Sequence, residues 1–399
     1  MTTSNRATAG AAVDAQGAPQ ARNMRLVGHC PMNGRGDGMH INLKDGYAYF
    51  AHMGDHGIGT SIVDVRDPTA PRLVSQLPVP SGIHSHKVQI VGHVLLVNYE
   101  RYKGGNAQGG LKVFDVSRPV DPREIGFLPM TGKGVHRMTY WEEPYAYVTG
   151  SEEGWTDQLL MIVDLSDPSR PREVGRWWMP GMHAAGGERL DLPTGRTSKL
   201  HHALVRGDRA YCGWWDQGLV ILDIADKARP SLVSHLDFGT DVSGATHTAC
   251  PLPGRDLLVV TDECVDDDCR GIPKQVRMVD IADERNPQVL SLFPVPAEAD
   301  FCARGGRFGP HNVHEPRPGT LSDPNVVYLT YFNAGVRVVD VTDAAAPREV
   351  AYFVPEAPPG RPSIQMNDIV VGSDGLIYVS DRYAGGLYIF ELTVSMSSS

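Results

Sequence analysis

One short pattern recurs seven times along this 399-residue chain, and it limits the possible folds more than any single motif does. An apolar strand ending in an acid occupies residues 61–64 (SIVD), 111–115 (LKVFD), 160–164 (LMIVD), 219–223 (LVILD), 276–280 (VRMVD), 336–340 (VRVVD) and 387–391 (LYIFE). Most copies lead into a turn such as Asp67 and Pro68, Asp167 and Pro168 or Arg118 and Pro119, then a second proline and another apolar strand. Upstream of each acid lies a further strand, for example 47–50 (YAYF) or 145–148 (YAYV). With an innermost strand before that, each unit supplies about four strands, the size of one propeller blade. The 43 Gly and 30 Pro, spread among short apolar runs, fit many short strands joined by turns. The fold class expected is all-β, a seven-bladed β-propeller.

The seventh unit stops at Glu391 and lacks its outer strand, whereas residues 24–28 (MRLVG) copy the outer strands at 122–126 (PREIG) and 171–175 (PREVG). The N-terminal strand is therefore expected to complete the last blade and close the ring, which pairs edges otherwise left open. The domain is placed at residues 24–394, behind a disordered segment 1–23 and before a tail 395–399. The units resemble the LVIVD-repeat family, through the strands at 160–164 and 219–223 and their following turns. The resemblance implies the fold and says little about activity, because propellers serve binding and catalysis alike. Asp64 and its equivalents read as turn starters whose carboxylates accept hydrogen bonds from the following residues.

A net charge of −10 with no basic stripe argues against nucleic acid and anionic membranes as partners. No apolar run approaches the roughly 18 residues of a membrane span, and residues 1–23 lack the apolar stretch of a signal peptide. A cytoplasmic protein is expected. The six cysteines, Cys30, Cys212, Cys250, Cys264, Cys269 and Cys302, show no framework spacing and are expected to be reduced.

A second periodicity lies over the first. Just before the innermost strand of six units stands a histidine: His40, His86, His136, His202, His247 and His311; the seventh unit has Asn367. In a propeller these strands line the central channel, so six imidazoles converge at its mouth, and imidazole is the commonest ligand of zinc, copper, iron and nickel. These six are the expected metal ligands, with a transition metal as cofactor: Fe(II) is favoured, and Cu, Zn or Mn are alternatives. His84, His201 and His314 are extra histidines that duplication of one structural residue does not explain. With Trp155, Trp214, Trp215, Tyr331 and Phe332 they are expected to line a substrate pocket. Glu100, Glu263 and Glu315 are the expected general bases or partners of ligand imidazoles. Three longer connections, 179–199, 297–309 and 355–363, fall on the same face as a candidate lid and carry His183, Arg304 and Arg307.

The function expected is a metal-dependent oxidation or oxidative cleavage of an apolar or aromatic small molecule. By architecture the arrangement is similar to the carotenoid-cleavage oxygenases and the selenium-binding proteins, without sharing their strand motifs. A zinc or manganese hydrolase or lyase with a rim glutamate as base is the alternative, and a non-catalytic propeller scaffold for protein interaction is the third reading.

Overall fold

The computed structural model describes residues 20–34, 37–239 and 244–394. The chain is almost wholly β, and its antiparallel sheets follow one another in sequence order. Gly38–Lys44, Tyr47–His52, Ile58–Asp64 and Arg72–Pro78 make the first sheet, with each strand beside the next in sequence. The pattern returns with His202–Arg206 through Ser231–Leu236 and with Thr246–Pro251 through Gln288–Leu292. Between the first sheet and His202, two such sets share a nine-stranded sheet, joined where Gly134 pairs with Glu100. In the next set Val326–Thr330, Val336–Asp340 and Arg348–Val354 are strands, and the inner position is held by the stretch around Val313, which bridges to Leu329. Innermost strands pack on their neighbours, so the first residues of each meet at one end. This is a β-propeller.

The repeated acid works as expected of it. Asp64, Asp115, Asp164, Asp223, Asp280 and Asp340 each accept a hydrogen bond from the backbone N–H two residues on. The repeated glycine has a separate reason. A Cβ on Gly126 would lie 2.3 Å from the carbonyl oxygen of Pro168 in the next unit, and one on Gly175 would lie 2.0 Å from that of Lys227. Only glycine lets the outer strand of one unit touch the turn of the next. Gly28 stands in the same relation to Pro68, at 1.9 Å, and its strand, Met24–Cys30, pairs antiparallel with Gly386–Leu392.

Two expectations are corrected. Ordered structure starts before residue 24: Gln20–Arg22 adds a strand to the outer edge of Arg348–Val354, and Arg22 donates to Glu349. The rest of the segment expected to be disordered, 1–19, and the tail 395–399 lie outside the described residues. The cysteines are not all reduced, because Cys269 and Cys302 form a disulfide, while Cys30, Cys212, Cys250 and Cys264 are free and buried. The pair escapes a reading of spacing because tertiary contacts bring together two segments 33 residues apart: Asp267 bridges Arg307, and Asp268 N–H donates to Gly306. Among the described residues no helix is long and apolar enough to cross a membrane.

Candidate functional site: two rings of side chains in the channel

A hydrogen bond repeated between sheets sets the register of the mouth. Thr149, Thr261, Thr330 and Ser380, in the second strands, donate to the carbonyl oxygens of His201, His311, Asn367 and Met39 in the following unit. Those four, with His86, His136 and His247, form the upper ring. One residue further in lies a second ring of His40, Lys87, Arg137, His202, Thr248, Asn312 and Asp368. A bulge separates the two rings in four inner strands, beside Met39, His136, His247 and Asn367.

This register corrects two of the six expected ligands. The mouth residue of the first unit is Met39, and His40 sits below it, with Nε2 3.8 Å from Asp368. In the pair of adjacent histidines, His201 takes the mouth position and His202 the lower one, where Nε2 is 3.2 Å from Thr139 and Nδ1 is 3.5 Å from Glu315.

The remaining imidazoles form a continuous arc. Ring centroids are 4.7 Å apart between His86 and His136, 5.0 Å from His136 to His201, 4.1 Å on to His247 and 4.5 Å on to His311. His84 extends the arc beyond His86 at 5.4 Å. Four of these rings place Nδ1 against an oxygen: His136 on Glu100 at 2.8 Å, His201 on the His247 carbonyl at 3.2 Å, His247 on the Thr248 hydroxyl at 2.7 Å and His311 on the Asn367 carbonyl at 2.6 Å. A proton on Nδ1 satisfies all four contacts, and each Nε2 then presents a lone pair.

Two of those atoms face each other, and three surround one carboxylate. His136 Nε2 is 3.2 Å from His201 Nε2, and Glu263 lies 4.0, 3.9 and 3.6 Å from the Nε2 atoms of His201, His247 and His311. Burial, reinforced by nearby positive charge, holds His201, His247 and His311 well below the usual imidazole range, so they stay neutral. Two groups bring ligand atoms within 4.8 Å of one another: His201, His247 and Glu263, and His84, His86 and Glu100. In the second group His84 Nε2 and His86 Nε2 are buried without a hydrogen-bond partner. Burial would raise Glu100, but His136 beside it brings it below the ordinary carboxylate value, and Gln158 donates to its other oxygen at 3.0 Å.

The lower ring is a charged layer. Arg137 is 1% exposed and reaches up to His247 Nε2 at 2.9 Å and across to Asn312 at 2.8 Å. Its guanidinium competes with any cation for the His247 lone pair. Burial pulls Lys87 down to about 7 and pushes Glu315 and Asp368 up. Arg317 Nη1 is 3.7 Å from Glu315. Glu315, expected as a base at the mouth, therefore belongs to this layer.

The expected pocket residues divide. Trp215 lies against His201 at 5.2 Å and carries Lys199 over its ring at 4.2 Å, while Phe332 stacks on His311 at 4.8 Å. Both hold a positive φ, 21° and 39°, a strained conformation for an aromatic residue. The others stand away from the arc. Trp214 is wholly buried between sheets and donates to Ser198, Tyr331 packs on Phe308, and Trp155 stacks with His183. His314 bonds Leu321 and Val371 through its two nitrogens and is structural. Of the three lid residues expected near the arc, Arg307 reaches it, donating to Glu263 at 3.0 Å; Arg304 covers Phe301 instead.

One constellation escaped the sequence reading. His52 is 2.9 Å from Asp37 through Nδ1 and 2.7 Å from the Ser61 hydroxyl through Nε2, the spacing of a nucleophilic triad. His52 and Ser61 are fully buried, and Gln76 also donates to the Ser61 oxygen, so the chain of bonds ties a loop to its sheet and offers no nucleophile.

Residues 35–77, 142–178 and 202–237 match the LVIVD repeat. No curated protein matches the chain. Among solved structures it is similar to the β-propeller domain of Cps50 (Swd1) from Myceliophteria thermophila, with a TM-score of 0.56 at 13% identity over 90% of this chain and 98% of that one. At that identity the likeness speaks for the fold alone.

Proposed function

We propose that this LVIVD-repeat propeller holds a transition-metal ion at its channel mouth and uses it to oxidise a small molecule. His136, His201, His247 and His311 are the ligands, Glu263 is the facing carboxylate, and Glu100 orients His136. The observation that carries the reading is the set of four imidazoles whose Nδ1 positions are engaged by oxygens, among which His201 and His247 bring ligand atoms within 4.8 Å of each other and of Glu263. With both rings protonated on Nδ1, the His136 and His201 Nε2 lone pairs 3.2 Å apart are accommodated by a cation between them, and a proton on one Nε2 is the alternative. Neutral imidazoles suit iron or copper, either of which supplies one-electron chemistry. The chain itself supplies orientation through Glu100 and a proton acceptor in Glu263.

A hydrolase or lyase reading at zinc or manganese is favoured by one feature, the placement of Glu263 as a base beside three imidazoles. Elemental analysis of tag-free protein, with oxygen-uptake assays on aromatic and unsaturated substrates, separates the two. Iron or copper with oxygen consumption supports oxidation; zinc with activity under strict anaerobiosis transfers the site to the hydrolytic reading. A chain with no metal after growth in metal-replete medium returns the protein to the scaffold class.

The same reading takes the fold as seven blades closed by Met24–Cys30, supported by its pairing with Gly386–Leu392 and the approach of Gly28 to the first unit. Deleting residues 1–28 is expected to abolish soluble folding. A truncated chain that melts like the full one would refute closure. The sequence points to a cytoplasmic protein, and the Cys269–Cys302 disulfide, more at home in an oxidising compartment, argues the other way.

A further inference from the structure

We infer that the mouth carries a carboxylate-binding subsite built from Arg382 and Arg307, so that the substrate is a small organic monoanion. The inference shares the proposed site but not its metal, and it rests on a different set of residues. The protein carries a net charge of −10, yet Arg307 and Arg382 gather over one aromatic residue of the arc. The two guanidinium carbons lie 5.5 and 5.8 Å from the ring centre of Phe332, which itself stacks on His311.

The arginines are held in place by the backbone. Gln365, fully buried, accepts the Arg307 N–H on its side-chain oxygen at 3.1 Å and the Arg382 N–H on its carbonyl at 3.0 Å. Asp381 fixes the loop that bears Arg382 by accepting N–H groups from Gln365, Tyr383, Ala384 and Gly385. A carboxylate so saturated has little left to offer a guanidinium. Glu263 is shared between Arg307 and three imidazoles.

Arg382 is left short of an acceptor, since its Nη1 is buried with no hydrogen-bond partner. A buried donor without a partner is costly, and a buried guanidinium more so. A planar carboxylate matches the fork of an arginine. One such fork lacking an acceptor suits a monocarboxylate better than a phosphate dianion, and half-buried Trp215 on the same arc suits an unsaturated or aromatic body.

The test is calorimetric titration of the full chain with benzoate, benzyl alcohol and inorganic phosphate, before and after chelator treatment. Benzoate is expected to bind in both preparations, at least about tenfold more tightly than benzyl alcohol or phosphate. In Arg382→Met the benzoate affinity is expected to fall about tenfold, roughly one charge-assisted pair, with metal content unchanged and melting temperature equal or higher. Arg382→Lys, which keeps the charge and loses the fork, is expected to fall in between and serves if the methionine variant does not fold. Equal binding of benzyl alcohol, tighter binding of phosphate, unaltered benzoate affinity in both variants, or benzoate binding that vanishes on chelation would each overturn the subsite. A chain that never holds metal but binds benzoate through Arg382 would sink the metal reading and leave this one standing.

Discussion

The two rings of the channel stand one residue apart in sequence and differ in the formal charges they carry. The upper ring carries five imidazoles, four of them with Nδ1 engaged by oxygens, and two of their Nε2 atoms face each other. The lower ring and its neighbours carry Lys87, Arg137, Arg317, Glu315 and Asp368, packed as partly matched charges, with His202 Nδ1, Glu315 Oε2 and Arg317 Nη1 left without hydrogen bonds. Neutral donors that converge on a point suit an added cation. Opposed charges buried together mainly hold the channel in shape, and buried pairs are costly to break because the survivor is stranded.

The largest effect is expected from the buried cation that reaches from the lower ring to the upper one. Arg137→Met removes a buried charge among Glu315, Asp368 and Glu263 and should cost about 3–5 kcal/mol in urea unfolding. It also frees His247 Nε2, so metal affinity of the folded fraction should rise. A fall in both stability and metal affinity would merge the two rings into one structural layer.

The buried imidazoles and the buried carboxylates titrate in opposite senses. Burial sets His86, His201, His247 and His311 below their unfolded values, so the unfolded chain takes up protons that the fold refuses. Their stability contribution is complete above pH ~6.5 and is lost below it, by about 1.4 kcal/mol per pH unit for each ring. Glu315 and Asp368 are raised, so the fold binds their protons more readily, and they gain stability as pH falls toward ~4. Chelator-treated protein should therefore melt lower as pH drops from 6.5 to 5 (about the range of imidazole titration), and Glu315→Gln should steepen that loss. A flat profile in both proteins would mean that the mouth rings are protonated in the fold.

Adjacent histidines give a sharper contrast. His201→Ala should remove most bound metal while changing stability by under about 1 kcal/mol, whereas His202→Ala should retain metal and cost about 1–3 kcal/mol by stranding Glu315. If His202→Ala loses metal and His201→Ala does not, the assignment of rings is reversed. The smallest effect belongs to the ties that set the register. Thr149→Val or Thr261→Val should cost about 1 kcal/mol each, with metal content changed little, by thermal melting and elemental analysis. No loss from either would leave the register without its hydrogen-bond cause.

Much of this molecule is legible from its residues. The repeated acid marks a turn because a carboxylate two residues before a backbone N–H closes it locally, and the repeated glycine marks a close approach of one unit to the next. His86, His136, His247 and His311 were found by the same periodicity. His40 and His202 were misplaced by one residue, because a bulge and a hydrogen bond from the preceding unit decide which member of a pair faces the mouth. Trp214 and Tyr331 read as pocket walls and proved to be core, since an aromatic residue at a strand end gives no local sign of whether a neighbouring sheet covers it.

The sequence by itself determined the repeating unit, its turns and the gathering of histidines at one end of the sheets, all of which depend on neighbours within a few residues. Tertiary structure alone decided the rest: which histidine of each pair turns to the mouth, that Cys269 meets Cys302 across 33 residues, and that Arg307 and Arg382 converge on Phe332. These depend on contacts between units, where a shift of one residue moves a side chain from one ring to the other, and that shift is set by a hydrogen-bond partner in another sheet.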